Sequence, residues 1–391
     1  MKLKDTILVS TVALSLTVTP ILAEDVRFGS ADQVGNRISE DRRDRELPLK
    51  DRLAEDGIDL ALDYSAIALR IDEALDGADD SASGGMLRFY GGWKATDNGS
   101  LIWKVEHRHS YSDTEPRFIA FNAGVLGLQA PPFSDQEGRL TNFYWKQRMN
   151  EGRATLVGGF LDVTDYLDVY AVASPWTGFV NFAFSTGNTT IALPNDATLG
   201  VAGATMLNEN FYVIAGLTDM ESDPTDPTEG FDTFFNDNNY FKSIEFGWTS
   251  SQSAIYVDKI HVTLWDADES EFQNQASDSG FTFSASKQLG TWLPFLRAGF
   301  ADKGSALGID ESISVGFAHY GLGGEANTLG AAINSADAGA DDRQVTLEVF
   351  YLVKLFKFWE ITPTFQLVKD PVNNPDEDEI AIYGLRTRLI W

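Results

Sequence analysis

The segment Glu379 to Trp391, EIAIYGLRTRLIW, constrains the fold more than any other part of the chain. Counting back by twos from Trp391 gives Leu389, Thr387, Leu385, Tyr383 and Ala381, while the intervening positions include Arg388, Arg386 and Gly384. Successive side chains of a strand point to opposite faces, so one face suits lipid and the other water. A segment of this kind that ends on an aromatic residue is expected to be the closing strand of a β-barrel in an outer membrane.

The beginning of the sequence agrees. Lys2 and Lys4 precede an apolar run from Ile7 to Val18, and Pro20-Ile21-Leu22-Ala23 offers a small residue at a cleavage point, so residues 1 to 23 read as a secretory signal peptide. A run of about 12 residues is too short to span a bilayer as a helix, which takes ~20. Residues 24 to 56 read as a polar periplasmic extension, in which Leu47, Leu49 and Leu53 have the spacing of a short helix. Residues 57 to 391 read as the barrel.

With no cysteine, the chain has neither disulfides nor a thiolate metal site, and closure of the sheet must supply the stability. The formal charge of −28 arises from 58 acidic against 30 basic residues. The acidic residues gather in Asp/Gly/Asn-rich stretches such as Asp76 to Gly85, Asp219 to Asn239, Asp266 to Asp278 and Asp370 to Glu379, which read as hydrated loops. Such a balance argues against nucleic acid as a partner.

From Gly57 the hydrophobic period is two. Leu60, Leu62, Tyr64, Ala66 and Ala68 alternate with Asp59, Asp63 and Ser65, and Leu87, Phe89, Gly91 and Trp93 with Arg88, Tyr90 and Lys94. Asp97-Asn98-Gly99 supplies a tight turn. Trp103, Val105, His107, His109 and Tyr111 then lie opposite Lys104, Glu106, Arg108 and Ser110. Further strands are expected near 140–149, 153–161, 197–206, 210–219, 241–250, 255–266, 280–288, 291–301, 311–320, 327–334, 343–354, 358–369 and 379–391. The fold class is therefore all-β: a transmembrane antiparallel β-barrel of about 16 strands, with short periplasmic turns and longer outer loops. Ser112 to Gly138 and Asp162 to Asp196 are long for such loops, and the second is expected to fold inward as a constriction.

Three segments carry a resemblance. GGFLDVTDYLDVYAVASPWTGFVNFAFSTG (158–187), LPFLRAGFADKG (293–304) and ITPTFQLVKDPVNNPDEDEIAIYGLRTRLIW (361–391) resemble the carbohydrate-selective porin family of the OprB type, and the similarity extends over most of residues 45 to 391. The resemblance implies a sixteen-stranded barrel with a narrowed pore and passive uptake of small sugars. The chain is shorter in its loops and more acidic than expected of glucose-selective members, which bears on sugar specificity more than on fold.

Strand parity places Arg88, Lys94, Lys104, Glu106, Arg108, Tyr144, Lys146, Arg148, Glu348, Arg386 and Arg388 on the inward face as candidate pore-lining groups. Asp162, Asp165 and Asp168 are expected to face the basic wall of the second to fourth strands across the channel, with Tyr166, Tyr170 and Trp176 as stacking surfaces for a sugar. The same aromatics could equally pack the loop onto the wall. His107 and His109 read as interfacial girdle residues rather than a metal site, and 219–239 as a solvated loop without calcium-binding spacing. No cofactor or metal is implied. The expected partners are small sugars, outer-membrane lipid and lipopolysaccharide, and the outer-membrane assembly machinery acting through the final strand; both monomer and trimer fit. The main alternative is a general or cation-preferring porin. An enzyme is disfavoured because His107, His109, His261 and His319 have no Ser or Asp partners in their sequence context.

Overall fold

The computed structural model describes residues 48–339 and 343–391, so the expected signal peptide and most of the extension lie outside the described residues. A helix, α1 (Pro48–Glu55), leads into sixteen strands. These are β1 (Ile58–Ile71), β2 (Ser81–Lys94), β3 (Gly99–Ser110), β4 (Glu137–Met149), β5 (Ala154–Leu161), β6 (Thr198–Met206), β7 (Phe211–Asp219), β8 (Tyr240–Thr249), β9 (Lys259–Ala267), β10 (Asp278–Ser286), β11 (Trp292–Ala301), β12 (Glu311–Tyr320), β13 (Thr328–Asp337), β14 (Arg343–Phe356), β15 (Trp359–Lys369) and β16 (Glu379–Ile390). Each pairs antiparallel with its chain neighbours, and β1 pairs with β16, so the barrel is closed and no strand edge is left unpaired.

Burial follows the alternation. Trp93 and Leu385 are 45% and 54% exposed on the outer face, and Leu87, Phe89, Val105, Phe143, Ile260, Val262 and Leu264 join them there. Their even-numbered neighbours Arg88, Arg386 and Arg388 are buried inside. A surface this apolar is solvated by hydrocarbon rather than water. Among the described residues no helix is long and apolar enough to cross a membrane.

The closing seam is held by charge as well as by backbone pairing. Asp63 on β1 accepts from Arg88 on β2 (Nε 2.8 Å, Nη2 2.6 Å) and from Arg388 on β16 (Nε 3.1 Å, Nη2 2.6 Å). All three are buried, so the hydrogen bonds offset a desolvation cost that neither charge could bear alone.

Two local departures from simple alternation matter for the lumen. At Thr141 the pairing of β4 with β3 slips, because Lys104 faces Asn142 while Val105 faces Leu140. The bulge lets Arg139, Thr141, Asn142 and Tyr144 all lie inward. The second is the β8–β9 turn. A strand was expected from 255, but β9 begins at Lys259; Ile255 and Tyr256 instead turn into the barrel and join a buried apolar cluster with Met206 and Tyr212.

The interior is not a wide water-filled cylinder. Both long loops, 111–136 and 162–197, fold inside and are stitched together: Ala130 N–H donates to the Val180 carbonyl (2.7 Å) and Phe182 N–H to that of Leu128 (3.0 Å). Leu167, Tyr170, Phe179, Phe184 and Ile191 of the second loop pack against Leu161, Tyr212, Phe241, Trp265, Phe295 and Phe350 of the wall. Gly216 and Gly299 provide the seats, since a Cβ at either would collide with Tyr166 or Thr190 of the loop. The inward side chains along β6–β13 are largely buried as a result. On the opposite side, Ile67, Leu69, Met86, Val368, Ile380 and Ile382 of the wall are buried against Ile119, Phe133, Trp176 and Val180 of the two loops.

Candidate functional site

The candidate site is built on β3 and β4. Lys104 and Arg108 stand on the inward face of β3, two residues either side of Glu106, and the bulge adds Arg139 from β4. The first and last parts of the inward loop meet them. Lys104 lies 3.6 Å from Asp162 and 3.4 Å from Asp165, and Arg108 and Arg139 each reach Asp196 at 2.8 Å. Asn142 donates to Asp165 at 2.7 Å, and Arg108 Nε donates to Glu106 at 2.8 Å. Asp162 also caps its own turn, accepting from the Thr164 N–H at 2.9 Å. Basic wall and acidic loop therefore face each other here, with Asp165 and Asp196 keeping 14% and 21% of their side chains accessible.

Electrostatics divide the carboxylates of this cluster. Burial, followed by the negative charge of Asp165 and Asp196, pushes the Asp162 carboxyl up to about 8. For Asp196 burial acts in the same direction, but the guanidiniums of Arg139 and Arg108 overcome it and hold its carboxyl below the usual range. One carboxyl is thus neutral near pH 7 beside another that stays charged.

Asp168 is elsewhere. It was expected to face the β2–β4 wall with Asp162 and Asp165, but it sits across the lumen, accepting from His261 on β9 (2.7 Å), from Arg297 on β11 and from the Gly187 N–H (2.7 Å). The chain turns between Asp165 and Asp168, with Asp168 itself at φ 51°, so a spacing of three residues spans opposite walls. Burial would raise its carboxyl, but Arg297 and His261 hold it down at about 2. Glu245 on β8 completes this knot, accepting from the Asp168 N–H at 2.8 Å and from Tyr212 at 2.7 Å. His261 therefore does have acidic partners, which sequence context did not reveal. It is fully buried, however, and serves as a tie between loop and wall.

Several other candidates also fasten the loops. Glu348 accepts from the N–H groups of Val180 (2.7 Å) and Asn181 (2.9 Å). Arg386 donates to the carbonyls of Pro175 and Gly178. Trp176 lies under the Arg88 guanidinium, 4.1 Å from its ring centre, and packs on Phe133. Tyr170 donates to the Phe184 carbonyl at 2.5 Å, and the Tyr166 ring is buried beside Gly216. Of the aromatics expected to stack a sugar, Tyr166, Tyr170 and Trp176 thus pack loop to wall. Tyr144 borders a small recess with Asp162, Asp165 and Val157. Lys94 is exposed at the turn-side rim, Lys146 is nearly buried, and Arg148 donates to the Asp97 carbonyl at 2.8 Å. Sequence parity missed Arg139 and Asp196; the first was hidden by the bulge, the second by its place at a loop end.

No protein-family model and no curated protein matches the chain. Among solved structures it is similar to OprB of Pseudomonas putida at high pH, with 13% identity, 88% of this chain and 96% of that one covered, and a TM-score of 0.70. It is also similar to a porin mutant of Rh. blastica (9% identity, 85% and 100% covered, TM-score 0.54) and to OmpT of Vibrio cholerae lacking loop L8 (13%, 85% and 99%, 0.53), described as an outer membrane protein. The fold is that of the outer-membrane porins. Within this fold, the charged cluster between β3, β4 and the inward loop is where basic wall and acidic loop meet.

Proposed function

We propose that the chain is an outer-membrane porin through which small polar solutes, sugars among them, diffuse passively. The single observation carrying this reading is the pairing of Lys104, Arg108 and Arg139 with Asp162, Asp165 and Asp196 inside the barrel, where Asp165 and Asp196 stay partly accessible. Opposed charges across a constriction order water transversely and offer hydrogen bonds to hydroxyl groups without binding any of them tightly, which suits conduction. The loops packed inside the barrel limit the conduit to slender solutes.

The resemblance to carbohydrate-selective porins and the likeness to OprB support sugars as the solute class. The acidic outer loops support the rival reading, a cation-preferring porin without sugar selectivity. Reconstitution into liposomes and planar bilayers separates them. Swelling in glucose but not in a disaccharide, with sugar blocking the ion current, is expected; strong cation preference with no block by sugar would favour the rival, and absence of any conductance would reject both.

A further inference from the structure

The barrel wall is lower at β5 and β6 than beside them. β4 has 13 residues, β5 eight and β6 nine, and the pairing of β4 with β5 runs from Met149 opposite Ala154 as far as Phe143 opposite Phe160. The two strands start level at their turn, so the shortfall lies on the loop side. At ~3.4 Å per residue and a tilt near 45°, eight residues rise ~19 Å, against an outer apolar band of ~25 Å.

The connection after β7, 220–239, fills that notch. It reaches back to β4, where the Pro224 carbonyl accepts from the Leu140 N–H at 3.0 Å. It then returns along the outside of the barrel as three consecutive helical turns, Pro227–Glu229, Gly230–Asp232 and Thr233–Asp237. The segment touches the wall at Gly230, where a Cβ would lie 3.5 Å from Leu199 and 3.6 Å from Phe160, paired residues on the outward faces of β6 and β5. Phe231 stands edge-on to Phe160 with 5.6 Å between ring centres, and Thr233 donates to Asp219 at the end of β7. At helical spacing Phe231, Phe234 and Phe235 share one face, and Glu229, Asp232 and Asn236 the opposite one. Phe234 packs on Tyr240, whereas Phe231 and Phe235 are 52% and 67% exposed.

We infer that 227–237 completes the lipid-facing band above β5 and β6, with the rings of Phe231 and Phe235 in the hydrocarbon of the outer leaflet and the carboxylates in the headgroup layer. The inference rests on the outer-membrane reading of the barrel. Lipid is the occupant because the apolar face of the segment continues the wall below it, where Leu156 and Val201 are exposed on the same side. A free helix with an acidic polar face would hold weakly to a lipid surface. Here both ends are tied to strands, so the contact is intramolecular in its entropy cost and needs no basic residues. The acidic stretch 219–239 is then a hydrated loop on one face only.

Spin labelling of the full chain tests this. Because the sequence has no cysteine, Phe235→Cys, Phe231→Cys, Asp232→Cys and Phe246→Cys each carry a single nitroxide; Phe246 is 50% exposed on the outward face of β8. Each variant is first shown to run as a folded barrel and is then reconstituted into phosphatidylethanolamine/phosphatidylglycerol liposomes. Oxygen concentrates in hydrocarbon and a water-soluble nickel chelate is excluded from it, so the ratio of their collision rates reports where a label sits. The ratio at 235 and at 231 is expected to exceed that at 232 by roughly threefold or more. Equal ratios at 231, 232 and 235, with 246 in hydrocarbon, overturn the inference and leave the barrel reading intact. So do labels at 231 and 235 shielded from both reagents, which would mean that protein rather than lipid covers this face. A label at 246 in water overturns both.

Discussion

At the scale of single residues, two carboxyls of one loop are placed in opposite electrostatic situations. Asp162 is raised to about 8 by burial and by Asp165 and Asp196, so it ionises as the pH passes from neutral to alkaline. The cation-to-anion permeability ratio, read from reversal potentials, is therefore expected to rise about twofold between pH 6.5 and 9.5, and Asp162→Asn should remove the step. Asp168 is held down at about 2 by Arg297 and His261, so its contribution to stability is fully present above the ordinary carboxylate range and is lost as the pH falls through about 2. Wild-type resistance to heat, followed as the fraction migrating compactly in unheated detergent electrophoresis, should stay level from pH 7 to 5 and drop between pH 4 and 2. Asp168→Asn leaves Arg297 buried against a neutral partner and is expected to cost about 3–5 kcal/mol at neutral pH, flattening that profile.

At the scale of elements, the strands were legible because alternation is enforced by two solvents. Each outward residue answers to hydrocarbon and each inward one to polar neighbours, so sixteen strands could be marked from sequence, and all sixteen occur. The places that escaped are those where neither solvent decides. The bulge at Thr141 leaves no trace in composition, yet it reverses the parity of everything before it in β4 and so turns Arg139 inward. Ile255 and Tyr256 alternate like a strand but answer to the interior of the barrel. The inward loop has no period, so the partners of Asp168, His261 and Glu348 became visible only in three dimensions. Deletion of Thr141 tests the bulge: Leu140 then joins Asn142 in plain alternation, Arg139 stays inward opposite Glu106, and the barrel is expected to fold to the wild-type extent in the electrophoretic assay, whereas a lower folded fraction would mean that the extra residue is itself required.

At the scale of the whole molecule, the barrel is divided lengthwise. Loop 162–197 is bound along β8–β14 through the Asp168 knot, the Glu348 clamp and the aromatic packing around Phe179, while its two ends meet β3 and β4 through Asp165 and Asp196. Replacing 164–194 with a short Gly/Ser linker should open the space that the loop now fills and raise single-channel conductance severalfold, with loss of any discrimination between mono- and disaccharides in the swelling assay. Unchanged conductance would mean that the loop is not the barrier to flow.

The stitching of 111–136 to 162–197 by main-chain hydrogen bonds has a consequence for how such a chain can change. Neither insertion can lengthen, shorten or drift in register by itself, because Leu128, Ala130, Val180 and Phe182 meet through backbone atoms that no side-chain substitution can retune. Variation in solute preference should therefore accumulate by exchange of side chains around Lys104, Arg139 and Asp196, while changes of length in the two insertions arrive together or not at all.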